Sequence, residues 1–233
     1  MLAPARRRGI EILDDGAVDD ETRRRSLDDV ARSNRWLGGR RAVRLALDRA
    51  LAASPARTHP LIVLDVGTGA GDLALLARER GARIGRAVHV VGLDVAESLA
   101  REARTAARLH DAVVADALAL PVRDGAADVV VCSQLLHHFE LPAARALLRE
   151  LHRVARGAVI VADLRRSWLA AIGFWLVSWP LRFSAVTRHD GVVSVLRGFT
   201  ARELESLVRE AAGRPAVVRR RLGWRLVAAW RRA

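Results

Sequence analysis

The chain has no lysine and no tyrosine, and only one cysteine and one methionine among 233 residues. The lone Cys132 excludes an intramolecular disulfide and any cysteine-built metal cluster. The most apolar stretch, Trp168 to Val186, is too short to span a bilayer and is interrupted by Pro180. Arg6-Arg7-Arg8 follow the N-terminus with no apolar core behind them, so no secretory signal is read and a cytoplasmic protein is expected. Internal repeats and low-complexity tracts are missing as well.

Arginine is abundant. It supplies all 39 basic residues against 26 acids, for a net charge of +13. Such a balance suits an acidic partner: nucleic acid, an anionic membrane surface or an acidic substrate. The competing reading is base-composition bias, because the arginines are scattered among abundant Ala and Val. The length and the 51% hydrophobic fraction suit one well-buried domain with an appendage.

The organising stretch is Leu61 to Leu76, LIVLDVGTGAGDLALL. Leu61 to Leu64 reads as a buried strand, closed by Asp65 and Val66. Gly67-Thr68-Gly69-Ala70-Gly71-Asp72 is a glycine turn, and a helix is predicted from Leu73 to Arg80. A strand, a glycine turn and a helix N-terminus bring backbone N–H groups to one point, which welcomes a nucleotide-like ligand. The spacing is GxGxG; Asp72 stands where a dinucleotide fold has its third glycine. An acid there is awkward for a pyrophosphate and compatible with a cationic ligand, so a dehydrogenase is disfavoured.

Ala87 to Asp94 is a second buried strand ending in an acid, placed to accept hydrogen bonds from both hydroxyls of a ribose. A helix is predicted over Ala96–His110, a strand over Asp111–Ala115 and another over Ala127–Cys132. Leu141–Val154 reads as a helix and Gly157–Leu164 as a strand ending in Asp163. Thr200 and Glu203 form a capping box. Two last strands, Pro215–Arg220 and Trp224–Trp230, flank a turn at Gly223. Ahead of the glycine loop, helical patterns begin at Ser26 and Arg40. Asn34–Gly39 separates them, as a lid hinge or an ordinary turn. Residues 1–20 look irregular, and 54–60 reads as a linker.

The acid followed by GxGxG, Asp65 to Gly71, resembles the first motif of class I S-adenosylmethionine (SAM) dependent methyltransferases. The run LPVRDGAADVVVCSQLLHHF, Leu120 to Phe139, resembles the stretch that family carries before and along its fourth strand. The resemblance covers roughly Leu61 to Asp163 and implies an α/β, three-layer Rossmann-like sandwich. Its seven-stranded, mostly parallel sheet would have one antiparallel strand. A helical cap is expected at 1–60 and the SAM-binding domain at 61–233, with an apolar insertion at 165–199. SAM would be the cofactor and S-adenosylhomocysteine its product. The implied cofactor residues are Asp65, Gly67, Thr68, Gly69, Gly71, Asp94, Val95, Asp116, Ala117 and Ser133. No metal ligands are assigned.

Methyl transfer from a sulfonium is a direct displacement that needs acceptor and methyl in line. An oxygen acceptor also benefits from a base. Some small-molecule O-methyltransferases of the resembled family pair a histidine of an LHH motif with an acid ending strand five. Leu136-His137-His138 and Asp163 match, which makes His137 and Asp163 the catalytic candidates. The alternative is that these histidines cap the next helix or stack on the ligand. If Trp168–Val186 is helical, Trp168, Ile172, Trp175 and Trp179 share a face. That segment reads as a core helix, a lid over an apolar acceptor pocket, or an interfacial helix. His138, Trp168, Trp175 and His189 are the substrate-side candidates; Arg188–Gly191 is otherwise a surface turn.

The expected acceptor is a small hydrophobic or aromatic molecule methylated on oxygen, in secondary or quinone-like metabolism. An RNA-directed enzyme and a non-catalytic SAM-binding partner protein are the alternatives. Nucleic acid is disfavoured: Ser133-Gln134-Leu135-Leu136 replaces the Asn/Asp-Pro-Pro-aromatic tetrad of base-amino methylases, and Val131, not proline, precedes Cys132. Weak peripheral membrane contact and a homodimer stay open as partners.

Overall fold

The computed structural model describes residues 3–7, 9–14, 18–55, 59–69, 71–105 and 109–232. Ala70 and residues 56–58 of the expected linker lie outside the described residues. The aliphatic runs become strands: β1 Leu61–Val66, β2 Val88–Asp94, β3 Asp111–Val114, β4 Ala127–Ser133, β5 Ala155–Leu164, β6 Val217–Arg221 and β7 Arg225–Arg231. They form one seven-stranded sheet in the order β3-β2-β1-β4-β5-β7-β6. β1 to β5 are mutually parallel, and β7 runs antiparallel to both β5 and β6. This is the sandwich with one reversed strand that the sequence implied.

The helices are α1 Asp20–Trp36, α2 Gly39–Ala52, α3 Asp72–Arg83, α4 Glu97–Thr105, α5 Leu141–Val154, α6 Trp168–Ser178, α7 Ala185–Arg197 and α8 Ala201–Ala212. Residues buried on both faces explain why the central strands read as continuous apolar runs. On one face Val43, Leu47 and Leu51 of α2 and Ala74 and Ala77 of α3 pack on Val63, Val90, Val129 and Ile160. On the other, Leu147, Leu148 and Leu151 of α5 and Leu204 and Val208 of α8 pack on Val130, Val159, Val161 and Leu226. Leu147, Leu148 and Leu151 are fully buried, each stabilising by roughly 1.5–3 kcal/mol.

Several expected boundaries move. α1 starts at Asp20, not Ser26, because the Asp19 side chain caps it by accepting the Thr22 amide at 2.8 Å. It runs through Asn34 to Trp36, so the break expected across Asn34–Gly39 shrinks to Leu37 and Gly38. The helix expected to reach His110 is described only to Thr105. The stretch 168–186 is not one helix: α6 ends at Ser178, and the chain turns through Pro180 and Arg182 (φ 54°) into α7. Arg188–Gly191, read as a surface turn, lies inside α7, where Asp190 is buried.

α1, α6 and α7 pack beyond the carboxyl ends of the strands, together with the 3-10 turn Ile12–Asp14. The segment before α1 is held down at several points. The Arg6 guanidinium donates to the carbonyls of Arg197 (2.6 Å), Phe139 (2.9 Å) and His137 (3.2 Å). The amides of Ile12 and Leu13 donate to the Asp190 carboxylate at 2.8 and 3.0 Å. Buried Arg166 donates to the carbonyls of Pro4 and Gly198 and to Glu203, fastening this strap to β5 and α8.

Candidate active site

Strand order reverses between β1 and β4, and in open α/β sheets ligands bind in the crevice that such a reversal leaves at the carboxyl edge. Here β1 delivers Asp65 and Gly67, β4 delivers Ser133, and β2 delivers Asp94. A small hollow of about 180 Å³ between the glycine loop and α1 is lined by Asp65, Gly67, Thr68, Gly69, Ser133 and Gln134, among others. Gly67 has φ 72°, and a Cβ there would lie 2.8 Å from the Leu135 side chain, so both backbone shape and space call for glycine.

Asp65 is buried. Its Oδ2 accepts the Thr68 hydroxyl at 2.9 Å, while Oδ1 is buried with no hydrogen-bond partner. Burial pushes its carboxyl up to about 7, against the Thr68 hydrogen bond, with the charges of Asp94 and Asp72 adding to the rise. An orphaned buried carboxylate oxygen at the floor of a hollow fits a ligand bearing an ammonium group. Asp94 accepts the Gly69 amide at 2.9 Å through Oδ2 and the Ala96 amide at 3.0 Å through Oδ1. Each oxygen keeps a second lone pair, enough for a vicinal diol. Gly71 has φ 78° and serves as N-cap of α3, shaping the turn instead of lining the hollow. Asp116 and Ala117 follow β3 beside Asp94. Asp116 is exposed and its Oδ1 accepts the Leu118 amide, and neither residue lines this hollow or the larger cavity beside it.

That cavity, about 630 Å³, shares Gly67, Gln134, Leu27 and Val30 with the hollow. It continues from Asp94 and Val95 to His137, Phe174, Asp190 and Arg225. His137 is buried in the 3-10 turn after β4, Leu136–His138. Its Nδ1 lies 2.7 Å from Asp163 Oδ1, and its amide donates to Asp163 Oδ2 at 3.0 Å. Burial pushes the Asp163 carboxyl up. The His137 charge and hydrogen bonds from the imidazole and from the Leu164 and His137 amides outweigh this and hold it below the ordinary carboxylate range. A carboxylate only accepts, so Nδ1 carries a proton, and in the neutral imidazole Nε2 is then the acceptor. His137 therefore neither caps α5 nor stands alone; Asp163 fixes the orientation of its ring.

Residues missed in the sequence complete the far wall. Glu11 is buried, with Oε1 3.9 Å from His137 Nε2 and Oε2 3.9 Å from His138 Nε2. Asp14 lies 3.5 Å from His138 Nδ1, and that hydrogen bond holds the Asp14 carboxyl at about 2. Burial pushes His138 down, but Asp14 and the Glu11 charge outweigh it and raise the imidazole. Glu11, His137 and His138 each present one ligand-type atom within 4.8 Å of the others. The 3.9 Å gaps exceed the spacing of neighbouring ligands around a small divalent ion, about 3 Å. Glu11 Oε1 already accepts the Ser194 hydroxyl at 2.8 Å and lies 3.4 Å from Arg197. The group is an acidic frame around two imidazoles. Gln134, at φ 56°, accepts from buried Arg225 at 2.8 Å and donates to Asn34 at 2.5 Å, tying α1 to β4 and β7. Burial lowers Arg225 to about 10, partly offset by Asp163.

On the substrate side, three of the four candidates, Trp168, Trp175 and His189, lie away from the cavity. Trp168 and Trp175 lie on the exposed face of α6, and Phe174 is the α6 residue that faces the cavity. Helical spacing identified a common face but not which face looks inward. The choice is made by α7, where Gly191 leaves room for the Phe174 ring; a Cβ there would sit 2.0 Å from it. His189 is exposed, pairs with Asp190 at 2.8 Å, and does not line the cavity. His138 does line it.

Residues 63–157 match a family model described as a methyltransferase domain. Over 124 residues the chain is 40% identical to a demethylmenaquinone methyltransferase of Thermus thermophilus, covering 52% of this chain and 49% of that one. Over 96 residues it is 34% identical to the Macaca fascicularis tRNA (carboxymethyluridine(34)-5-O)-methyltransferase ALKBH8, covering 41% and 13%. The chain thus spans about half, or less, of the curated relatives it matches. Magnesium protoporphyrin IX methyltransferase of Synechocystis PCC 6803, solved with bound SAM, superposes with TM-score 0.56 at 17% identity, over 94% of this chain and 100% of that one. An O-methyltransferase family protein of Burkholderia thailandensis gives 0.62 at 16% identity, over 92% and 61%. At these identities the two structures speak to the fold.

Proposed function

We propose that the chain is a class I SAM-dependent methyltransferase that transfers a methyl group to a small hydrophobic or aromatic acceptor, on a hydroxyl oxygen. The observation that carries this is the single cavity joining Gly67 and Asp94 to the His137–Asp163 pair. Asp65 would hold the amino group of SAM, the Gly67–Gly71 loop its main body, and Asp94 its ribose. When bound there, SAM supplies an electrophilic methyl on a sulfonium.

The chain's own residues supply the rest. His137 Nε2 accepts the acceptor's hydroxyl proton, and Asp163 holds the imidazole and stabilises the charge it gains. Glu11 adds to that stabilisation from 3.9 Å. Phe174, Leu135, Leu164 and Val195 give the cavity apolar walls suited to an aromatic or alkylated acceptor. The demethylmenaquinone relative supports a quinone-like acceptor. An RNA acceptor has less support, because Glu11, Asp14 and Asp190 line the cavity and acids disfavour a phosphate backbone.

The test is turnover with SAM and a panel of alkylated phenols and hydroquinones, read as release of S-adenosylhomocysteine and a product one methylene heavier. In His137→Ala, kcat should fall by about 10²–10⁴ while S-adenosylhomocysteine binding is kept. Unchanged kcat with intact binding would remove the base role, and donor binding without turnover on any acceptor would favour a non-catalytic binding protein.

A further inference from the structure

The face of α6 turned away from the cavity is apolar throughout. Trp168, Leu169, Ile172, Trp175, Leu176 and Trp179 are each 45–56% exposed. At 100° per residue they fall within roughly one third of the helix circumference. The opposite face, with Ala170, Ala171 and Ser178 buried, packs on α7. Singly exposed apolar residues are ordinary; a contiguous face with three tryptophans marks an interaction surface. No helix among the described residues is long and apolar enough to cross a membrane. α6, of 11 residues, is about 16 Å long.

The charge around this face indicates what covers it. From Leu164 to His189 the sequence has no acid and four arginines, of which Arg166 is buried against Glu203 and Arg165, Arg182 and Arg188 are not buried. The Arg188 guanidinium sits over the Trp179 ring at 4.2 Å, and Arg7 over Trp168 at 5.1 Å. Arg182 is exposed at the turn that ends the helix. An apolar face edged by tryptophan and ringed by arginine matches the boundary between lipid acyl chains and anionic headgroups. A symmetric contact with a second copy would instead press one arginine rim against another on a chain of net charge +13.

We propose that α6 is an interfacial anchor that lies flat on an anionic lipid bilayer. Its Trp168–Trp179 face enters the acyl boundary, and Arg7, Arg182 and Arg188 meet the headgroups. Because Phe174 on the same helix lines the cavity, the anchor also sets the cavity wall against the membrane, where a lipid-soluble acceptor would partition. This last consequence rests on the methyltransferase reading; the docking does not.

The experiment is co-sedimentation of the full chain with phosphatidylcholine vesicles, with and without about one third phosphatidylglycerol, at low and high salt. It is repeated with an Ile172→Gln/Leu176→Gln variant, which keeps helix-forming residues on the exposed face. Wild type should bind the anionic vesicles at low salt, bind neutral ones at least tenfold less, and weaken as salt rises. The variant should lose tenfold or more of that binding while keeping wild-type thermal stability and S-adenosylhomocysteine affinity. Absence of wild-type binding to anionic vesicles at low salt overturns the proposal. So does equal binding by the variant, or a wild-type dimer that the variant converts to monomer while vesicle binding is absent. In a second arm, the variant should lose at least tenfold in turnover of a long-chain phenol embedded in vesicles and stay within twofold on a short soluble one. Loss of turnover on both, with donor binding intact, would count against the acceptor reading and leave the sedimentation result standing.

Discussion

Asp65 and His137 are both buried at strand ends, but one has an unpaired oxygen and the other is fully oriented. The difference predicts opposite behaviours. Asp65 keeps its proton up to about 7 in the fold, against an ordinary 3.8. The native state therefore binds more protons than the unfolded chain between those values. Its contribution to stability falls as pH rises across that window and is level above it. A ligand ammonium beside Asp65 favours the ionised carboxylate, so binding should expel a proton. Affinity for S-adenosylhomocysteine should tighten from about pH 5.5 to 7, by at most about tenfold per unit. Calorimetry in buffers of different ionisation enthalpy reads that proton directly. Asp65→Asn should flatten the profile, and a pH-independent wild-type affinity would rule the assignment out.

At the level of elements, the strap and the α1–α2 junction are held by contacts with definite conditions. Asp14 is held at about 2 by His138, and His138 is raised in turn. The Asp14 contribution is present above its ordinary 3.8 and is lost as pH falls through about 2. The His138 contribution is complete below its ordinary 6.5 and is lost as pH rises through its raised value. Hydrogen exchange corrected for intrinsic rate should find Ile12–Asp14 best protected between about pH 4 and 6.5. The α1–α2 junction meets the sheet where Gly223, at φ 73°, turns β6 into β7; a Cβ there would lie 1.7 Å from the Leu37 carbonyl oxygen. Gly223→Ala should cost about 3 kcal/mol and lower Tm by about 6–12 °C in a thermal melt. Period, caps and glycine spacing made β1, β2, β4, α5 and the capping box of α8 legible, because local sequence alone decides those elements. Glu11, Asp14, Gln134 and Arg225 were not legible. Each earns its place through partners 91 to 186 residues distant, such as Gln134 for Arg225 and Arg197 for Glu11. The side of α6 that looks inward was undecided for the same reason, since α7 decides it.

The molecule as a whole is tied together at its ligand site. The hollow and cavity draw on α1, the β1 and β4 loops, the end of β2, and α7. Gln134, in the β4 loop, joins α1 through Asn34 and β7 through Arg225. A ligand filling that space binds the folded chain and cannot bind the unfolded one in the same way, so it must shift the unfolding equilibrium. At a concentration of about 100 Kd, S-adenosylhomocysteine should stabilise the chain by about 2.7 kcal/mol. For a chain of 233 residues that corresponds to a Tm rise of about 5–11 °C. Asp94→Ala loses the expected diol acceptor and the bond that ties down the Gly69 amide. At the same ligand concentration it should lose most of that rise, while its ligand-free melt moves by much less. NADH, offered at equal concentration, should leave both melts unmoved, because Asp72 stands where the glycine loop of a dinucleotide site would take the pyrophosphate. A rise with NADH, or an Asp94→Ala melt that follows wild type with S-adenosylhomocysteine, would mean that the crevice between β1 and β4 is not where the ligand sits.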